Sequence, residues 1–297
     1  MNGGDATGAC CYYSCMTRRD LFSTVAAAGV AAASPAAAQQ VQRKGRIKQG
    51  VCRGVFGRGA DLETMCREAA RLGAKGIDLV GQDAFPMLKK YGLIPTMLPS
   101  GSSIRDGINR REFHDKIEAR MRQDIDLAAS VGAPNIIVLS GERRGMSDAE
   151  GADNCVAFFN RIKKYAEDKG VTLCMELLNS KVNHPDYMCD HTKWGVEVCK
   201  RVNSPRVKLL YDIYHMQIME GDVIRTIREN IQWIGHFHTA GNPGRNQFDD
   251  TQELNYRGIC KAIADLGFQG YLSHEYSPTK DVDPIKTLDA MMTICDV

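Results

Sequence analysis

The sequence predicts an α/β protein, a closed (β/α)8 TIM barrel, on three observations. After residue 40, short apolar runs alternate with longer amphipathic stretches eight times. Glycine repeatedly stands just past the helical pattern, where a left-handed cap is wanted. Setting aside an unrelated leader of 38 residues leaves 259 of the 297, close to the roughly 250 that one such barrel needs.

The leader, residues 1–38, reads as a twin-arginine export signal. Thr17-Arg18-Arg19-Asp20-Leu21-Phe22 precedes a mildly apolar, Ala-rich stretch from Ser23 to Ala33, and Ala36-Ala37-Ala38 supplies an A-x-A cleavage site before Gln39. The apolar stretch is too short and too rich in Ala for a stable membrane anchor. No cysteine follows it where a lipid anchor would need one. The expectation is a soluble periplasmic protein whose single catalytic domain spans 39–297. Met1 and Met16 are both candidate starts, and Met16 gives the more compact signal.

The strands are expected at Lys48–Cys52, Gly76–Val80, Ile94–Leu98, Asn135–Leu139, Val171–Glu176, Val207–Asp212, Trp233–His238 and Gly270–His274, each an apolar run short enough to be a buried strand. The helices between them are expected at Asp61–Leu72, Asp83–Tyr91, Glu112–Val131, Ser147–Lys169, His191–Val202, Asp222–Asn230, Asn255–Leu266 and Pro284–Cys295. Leu72-Gly73, Tyr91-Gly92, Val131-Gly132, Lys169-Gly170 and Leu266-Gly267 carry the cap signal. An open doubly wound sheet is the alternative. It would need a phosphate-binding glycine fingerprint after the first strand, and Arg53-Gly54-Val55-Phe56-Gly57-Arg58-Gly59 has the wrong spacing. The connections at 99–111 and 240–252 are longer than a barrel requires, so they are expected to wall or cover a pocket.

The formal charge of +2 gives no reason to expect nucleic acid or an anionic membrane as partner. Eight cysteines follow the leader, from Cys52 to Cys295, without paired spacing. They are expected to serve as small buried apolar residues with free thiols.

Glu176, Asp212, His238 and Glu275 stand at the ends of the last four expected strands. Parallel strands bring their C-terminal ends to one face, so these side chains can converge. Three carboxylates and one imidazole about a point suit a divalent ion, Mn²⁺, Mg²⁺ or Co²⁺, with positions left open for a substrate. Each residue alone has a bland explanation: an ion pair for the acids, a satisfied core histidine for an imidazole on an apolar strand. His236 keeps that explanation, because it shares a face with His238 but lies deeper along the strand. Four unrelated salt bridges at four successive strand ends would be a coincidence.

At these residues the chain resembles the hydroxypyruvate isomerase family of xylose isomerase-like barrels over roughly residues 46 to 290. The resemblance is carried by Met175-Glu176-Leu177-Leu178-Asn179-Ser180, by Tyr211-Asp212-Ile213-Tyr214-His215-Met216-Gln217, by Gly235-His236 with Pro243-Gly244-Arg245, and by Glu253-Leu254-Asn255-Tyr256. It implies one divalent metal held by Glu176, Asp212, His238 and Glu275, with Glu176 and Glu275 moving the proton. His215, Arg245 and Asn179 would bind the substrate, hydroxypyruvate or a similar hydroxy-carbonyl compound. In hydroxypyruvate isomerases a Gln stands where this chain has His238, whereas ketose 3-epimerases have His, which keeps the epimerase as an alternative. An exported sugar-binding barrel without catalysis is another. Zinc-dependent DNA-repair endonucleases share the barrel but need more ligands and a basic groove, against seven His and a charge of +2 here. Barrels of this family often pair, so a homodimer is among the implied states.

Overall fold

The structure, a computed structural model, describes residues 40–297. The export signal and its cleavage point fall outside the described residues. Eight parallel strands form one sheet: β1 Lys48–Cys52, β2 Gly76–Asp78, β3 Ile94–Pro95, β4 Asn135–Val138, β5 Thr172–Leu177, β6 Val207–Asp212, β7 Ile234–Thr239 and β8 Tyr271–His274. Their order is β3-β2-β1-β8-β7-β6-β5-β4. The sheet curls so that Leu98, just past β3, bridges to Ile136 of β4. There the Leu98 N–H donates to Asn135 O at 2.9 Å and the Ile137 N–H to Leu98 O at 3.0 Å. The barrel expectation therefore holds.

Two strands end two or more residues earlier than expected, for local reasons. Pro95 has no N–H to give the ladder, so β3 stops there rather than running to Leu98. At Leu79 the backbone turns left-handed (φ 57°), which ends β2 directly after Asp78.

The helices of the described residues are α1 Leu62–Arg71, α2 Phe85–Lys90, α3 His114–Val131, α4 Asp148–Lys169, α5 Thr192–Val202, α6 Ile213–Met219, α7 Val223–Asn230, α8 Tyr256–Asp265 and α9 Pro284–Ile294. Asp61, Ser147, Asn255 and Asp283 cap α1, α4, α8 and α9 through side-chain oxygens, each cap contributing about 1 kcal/mol. Gly132 and Gly170 end α3 and α4 in the left-handed conformation, at φ 71° in both. The short helix α6 was not expected. Its residues Ile213, Tyr214, His215 and Met216 are buried all round, so no amphipathic period marks it. Among the described residues no helix is long and apolar enough to cross a membrane.

The main core lies between the sheet and the helices, and it takes in most of the cysteines. All eight described cysteines are buried as free thiols. Inside the barrel, Met97, Ile137, Cys174 and Leu210 form a small apolar plug. The rest of the interior is polar, and it carries the residues described below.

On the outer side of β8, His274 is wholly buried, with Nε2 2.9 Å from Gln49 Oε1 and Nδ1 2.9 Å from Thr239 Oγ1. It thereby links β8 to β1 and β7. Burial pushes its imidazole down from 6.5 to about 3. The unfolded chain takes up this proton near pH 6.5 and the folded one only near 3, so unfolding binds a proton between those values. Stability contributed by His274 is full above that window and falls as the pH drops through it. The expected result is a melting temperature that declines from neutral pH towards pH 4, with a shallower decline in His274→Gln; equal slopes for the two proteins would refute the assignment.

Candidate functional site

The register of the last four strands sets the site. Asp212 of β6 pairs with His238 of β7, and the Glu275 N–H, one residue past β8, donates to Thr239 O at 2.9 Å. Glu176 faces inward near the end of β5. The structure brings together the four sequence-predicted ligands: one donor atom each from Glu176, Asp212, His238 and Glu275 lies within 4.8 Å of all the others. His238 Nδ1 stands 2.9 Å from Glu275 Oε2 and 3.6 Å from Glu176 Oε1. Asp212, His238 and Glu176 are buried, and the Glu275 side chain keeps 24% of its exposure, which leaves the group open on one side.

Three carboxylates this close repel one another, and burial removes the water that would screen them. Arg245, on the loop after β7, supplies one positive charge: its Nη2 lies 2.7 Å from Glu275 Oε2 and 3.2 Å from Asp212 Oδ2. Its guanidinium also lies over the Tyr214 ring, 5.5 Å from the centroid. One guanidinium against three carboxylates leaves two charges uncompensated. His238 Nδ1 is buried and makes no hydrogen bond of acceptable geometry. A divalent cation answers both observations, and an O₃N donor set without thiolate suits Mn²⁺, Mg²⁺ or Co²⁺.

The two glutamates are set apart electrically. Burial raises the Glu176 carboxyl, and the charge of Glu275 adds to that. Burial acts the same way on Glu275, but His238 and Arg245 outweigh it and hold this carboxyl below its usual range.

His215, on α6, is brought to the site because Asp212 caps that helix: Asp212 Oδ1 accepts from the His215 N–H at 3.2 Å. Burial pulls its imidazole down to about 4, so it is neutral near pH 7. Its Nδ1 receives the Asn179 backbone N–H at 3.2 Å and the Asn179 Nδ2 at 2.6 Å. Nδ1 is therefore the acceptor, and the proton sits on Nε2, 3.6 Å from Asp212 Oδ2. Asn179 itself is fully buried. Its Nδ2 also donates to Asn183 Oδ1, and its Oδ1 accepts from the N–H groups of Val182 and Asn183. All four hydrogen-bonding positions of Asn179 are taken inside the chain, two of its contacts reaching His215.

The loop after β7, expected to wall the site, does so through Arg245. The loop after β3 is instead tied to the end of β4, where Asn109 N–H donates to Ser140 O at 2.8 Å and Ser102 Oγ accepts the Leu139 N–H at 2.8 Å. Sequence reasoning missed Asp78 at the end of β2. It is fully buried, with Oδ2 2.7 Å from His236 Nε2 and 3.1 Å from His238 Nε2. Burial would raise its carboxyl, but the two imidazoles outweigh that and hold it well below its ordinary value. An acid ending an apolar strand was the available signal, the same one that marked Glu176. His236 is the satisfied core histidine the sequence implied. His184, also missed, sets its ring against His215 with centroids 5.3 Å apart.

A family model described as the xylose isomerase-like TIM barrel matches residues 66–292, and the chain belongs to that family. The 2-oxo-tetronate isomerase of Cupriavidus necator is 32% identical over 158 residues, covering 52% of this chain and 59% of that protein. The hydroxypyruvate isomerase of Escherichia coli is 29% identical over 170 residues, 56% of this chain and 63% of that protein. The matched stretch thus spans less than two thirds of the length of either relative. The crystal structure of D-psicose 3-epimerase with D-tagatose from Clostridium cellulolyticum superposes with a TM-score of 0.70 at 18% identity, over 84% of this chain and 98% of that one. At that identity the likeness speaks for the fold.

The tautomer of His215 is directly measurable. Long-range ¹H–¹⁵N correlation spectra should show a neutral ring protonated at Nε2 from about pH 6 to 8, and in Asn179→Asp the proton should move to Nδ1 to meet the new carboxylate. A wild-type ring protonated at Nδ1 would overturn the arrangement.

Proposed function

We propose that this protein is a divalent-metal-dependent isomerase that interconverts hydroxypyruvate and tartronate semialdehyde, or a similar hydroxy-carbonyl compound, through an enediolate. The observation that carries this reading is the convergence of two glutamates, Glu176 and Glu275, with Asp212 and His238 on one point at the strand ends. The names of the two isomerase relatives support the same class of reaction.

A divalent ion held by Glu176, Asp212, His238 and Glu275 would supply Lewis acidity to the carbonyl and hydroxyl oxygens of the substrate. Glu275, kept ionised by the Arg245 guanidinium 2.7 Å away, is the base that takes the carbon-bound proton. That proton passes from Glu275 to Glu176 by way of the enediolate oxygens, and Glu176 gives it to the neighbouring carbon, so both carboxylates end as they began. The neutral Nε2–H of His215 donates to the oxygen on which charge develops, and Arg245 holds a second substrate oxygen. The net change moves one hydrogen between adjacent carbons and one between their oxygens, so no redox partner is needed.

A C-3 epimerase is the second reading, favoured by the imidazole of His238 where hydroxypyruvate isomerases resemble this chain but carry Gln. Its two glutamates would work on opposite faces of one carbon, and product analysis separates the two. Residues 1–38 are further proposed to export the protein to the periplasm. Changing Arg18 and Arg19 to Lys should leave full-length protein in the cytoplasm, and unchanged export would reject the twin-arginine assignment.

The catalytic reading is tested by exchange of carbon-bound hydrogen for deuterium in D₂O, with hydroxypyruvate and a small panel of ketoses as substrates. Glu275→Gln keeps size and an oxygen but removes the basic carboxylate, so exchange should fall by about 10² to 10⁴ while substrate still binds. Metal-loaded wild type that exchanges none of the panel would instead favour the binding barrel.

A further inference from the structure

Beneath the four strand-end residues runs a chain of buried polar side chains that joins the two halves of the barrel. Asp78 stands at its centre. Its Oδ1 accepts from Thr96 Oγ1, and its Oδ2 faces His236 Nε2 at 2.7 Å and His238 Nε2 at 3.1 Å. On the far side of His236, Nδ1 lies 3.4 Å from Asn135 Nδ2, which also donates to Thr96 O at 3.0 Å. All five side chains are buried.

The hydrogen-bond directions are settled by what each group can do. Asn135 Nδ2 can only donate, so His236 Nδ1 is an acceptor and the His236 proton lies on Nε2, facing Asp78. An ionised Asp78 can only accept, so His238 also turns an Nε2–H towards it. Two imidazoles then spend their Nε2 protons on one carboxylate oxygen.

The geometry points to Asp78 as the positioning residue of the candidate metal site: by accepting the Nε2 proton of His238 it leaves Nδ1 as the bare nitrogen turned towards Glu176 and Glu275. A carboxylate in this role fixes the tautomer and angle of a ligating imidazole and raises the basicity of its other nitrogen. His236 is the second strut, since its bond to the same oxygen keeps the carboxylate from turning. Asp78 lies on β2 and His238 on β7, so the site in the C-terminal half depends on a residue 160 positions earlier. This inference rests on the metal reading proposed above.

Cys52, Asp78 and His238 also lie within ligand distance of one another, which raises the alternative of a second ion beside the first. Asp78 argues against it, because both its oxygens are already bonded to Thr96, His236 and His238. Burial, with the charge of Glu275, also pushes the Cys52 thiol far above its ordinary range, so it is not a ready thiolate.

Calorimetric titration of the metal-free full chain with Co²⁺ distinguishes these readings. Wild type should take one ion per chain, and Asp78→Asn should bind it about 10- to 100-fold more weakly, with an altered visible spectrum at saturation. Thermal unfolding of the metal-free variant shows whether it is folded when titrated. A folded Asp78→Asn that binds within about twofold of wild type would overturn the inference while leaving the metal reading intact, and so would two ions per wild-type chain. Wild type that binds no Co²⁺ removes the metal reading and this inference with it. If Asp78→Asn does not fold, the tautomer of His238 in Zn²⁺-loaded wild type decides: a ring proton on Nε2 is expected, and a proton on Nδ1 would overturn the role given to Asp78.

Discussion

Three carboxylates around one point, two of them buried, form the constraint on which the rest of this structure depends. Glu176, Asp212 and Glu275 cannot all stay ionised at that spacing, away from water, unless positive charge stands beside them. Arg245 is drawn in from the loop after β7 to meet two of them. The imidazole of His238 is turned edge-on to the third side and braced from below by Asp78. Even the start of α6 belongs to this arrangement, since Asp212 both faces the centre and caps the helix that carries His215. A parallel barrel suits the task because its strand ends deliver these groups from different parts of the chain to one rim, on a rigid frame.

The buried histidines divide by what they face. His215 and His274 are kept neutral by burial, and their hydrogen-bond partners Asn179 and Gln49 are uncharged, with Asp212 standing 3.6 Å from the other nitrogen of His215. His236 and His238 instead share a carboxylate. A neutral imidazole with a fixed tautomer is a directional donor, and one backed by a carboxylate is a stronger base at its free nitrogen. The same side chain thus takes two chemical roles within one barrel, set by whether an amide or an acid lies behind it.

Much of this was legible in the sequence. β1 and β6 begin and end where the apolar runs do, and the convergence of the four strand-end side chains follows from period and ligand chemistry. What escaped was non-local or locally ambiguous. β3 was cut short by Pro95, which removes a ladder donor without interrupting the apolar run. α6 has no polar face to mark its period, and its capping residue already had a role as a ligand. Asp78 sits in a strand of three residues with no motif around it, and its meaning appears only when β2 is brought across the barrel to β7. Asn179 lay inside a legible motif, yet its saturated hydrogen bonding depended on the loop that folds over it.

The central claim, that four strand-end side chains hold one divalent ion, is tested most directly by anomalous diffraction from crystals of the protein grown with Mn²⁺. A single strong peak is expected, enclosed by Glu176, Asp212, His238 and Glu275, with the Nδ1 side of His238 facing it. A peak elsewhere in the barrel, or none at saturating Mn²⁺, would contradict it.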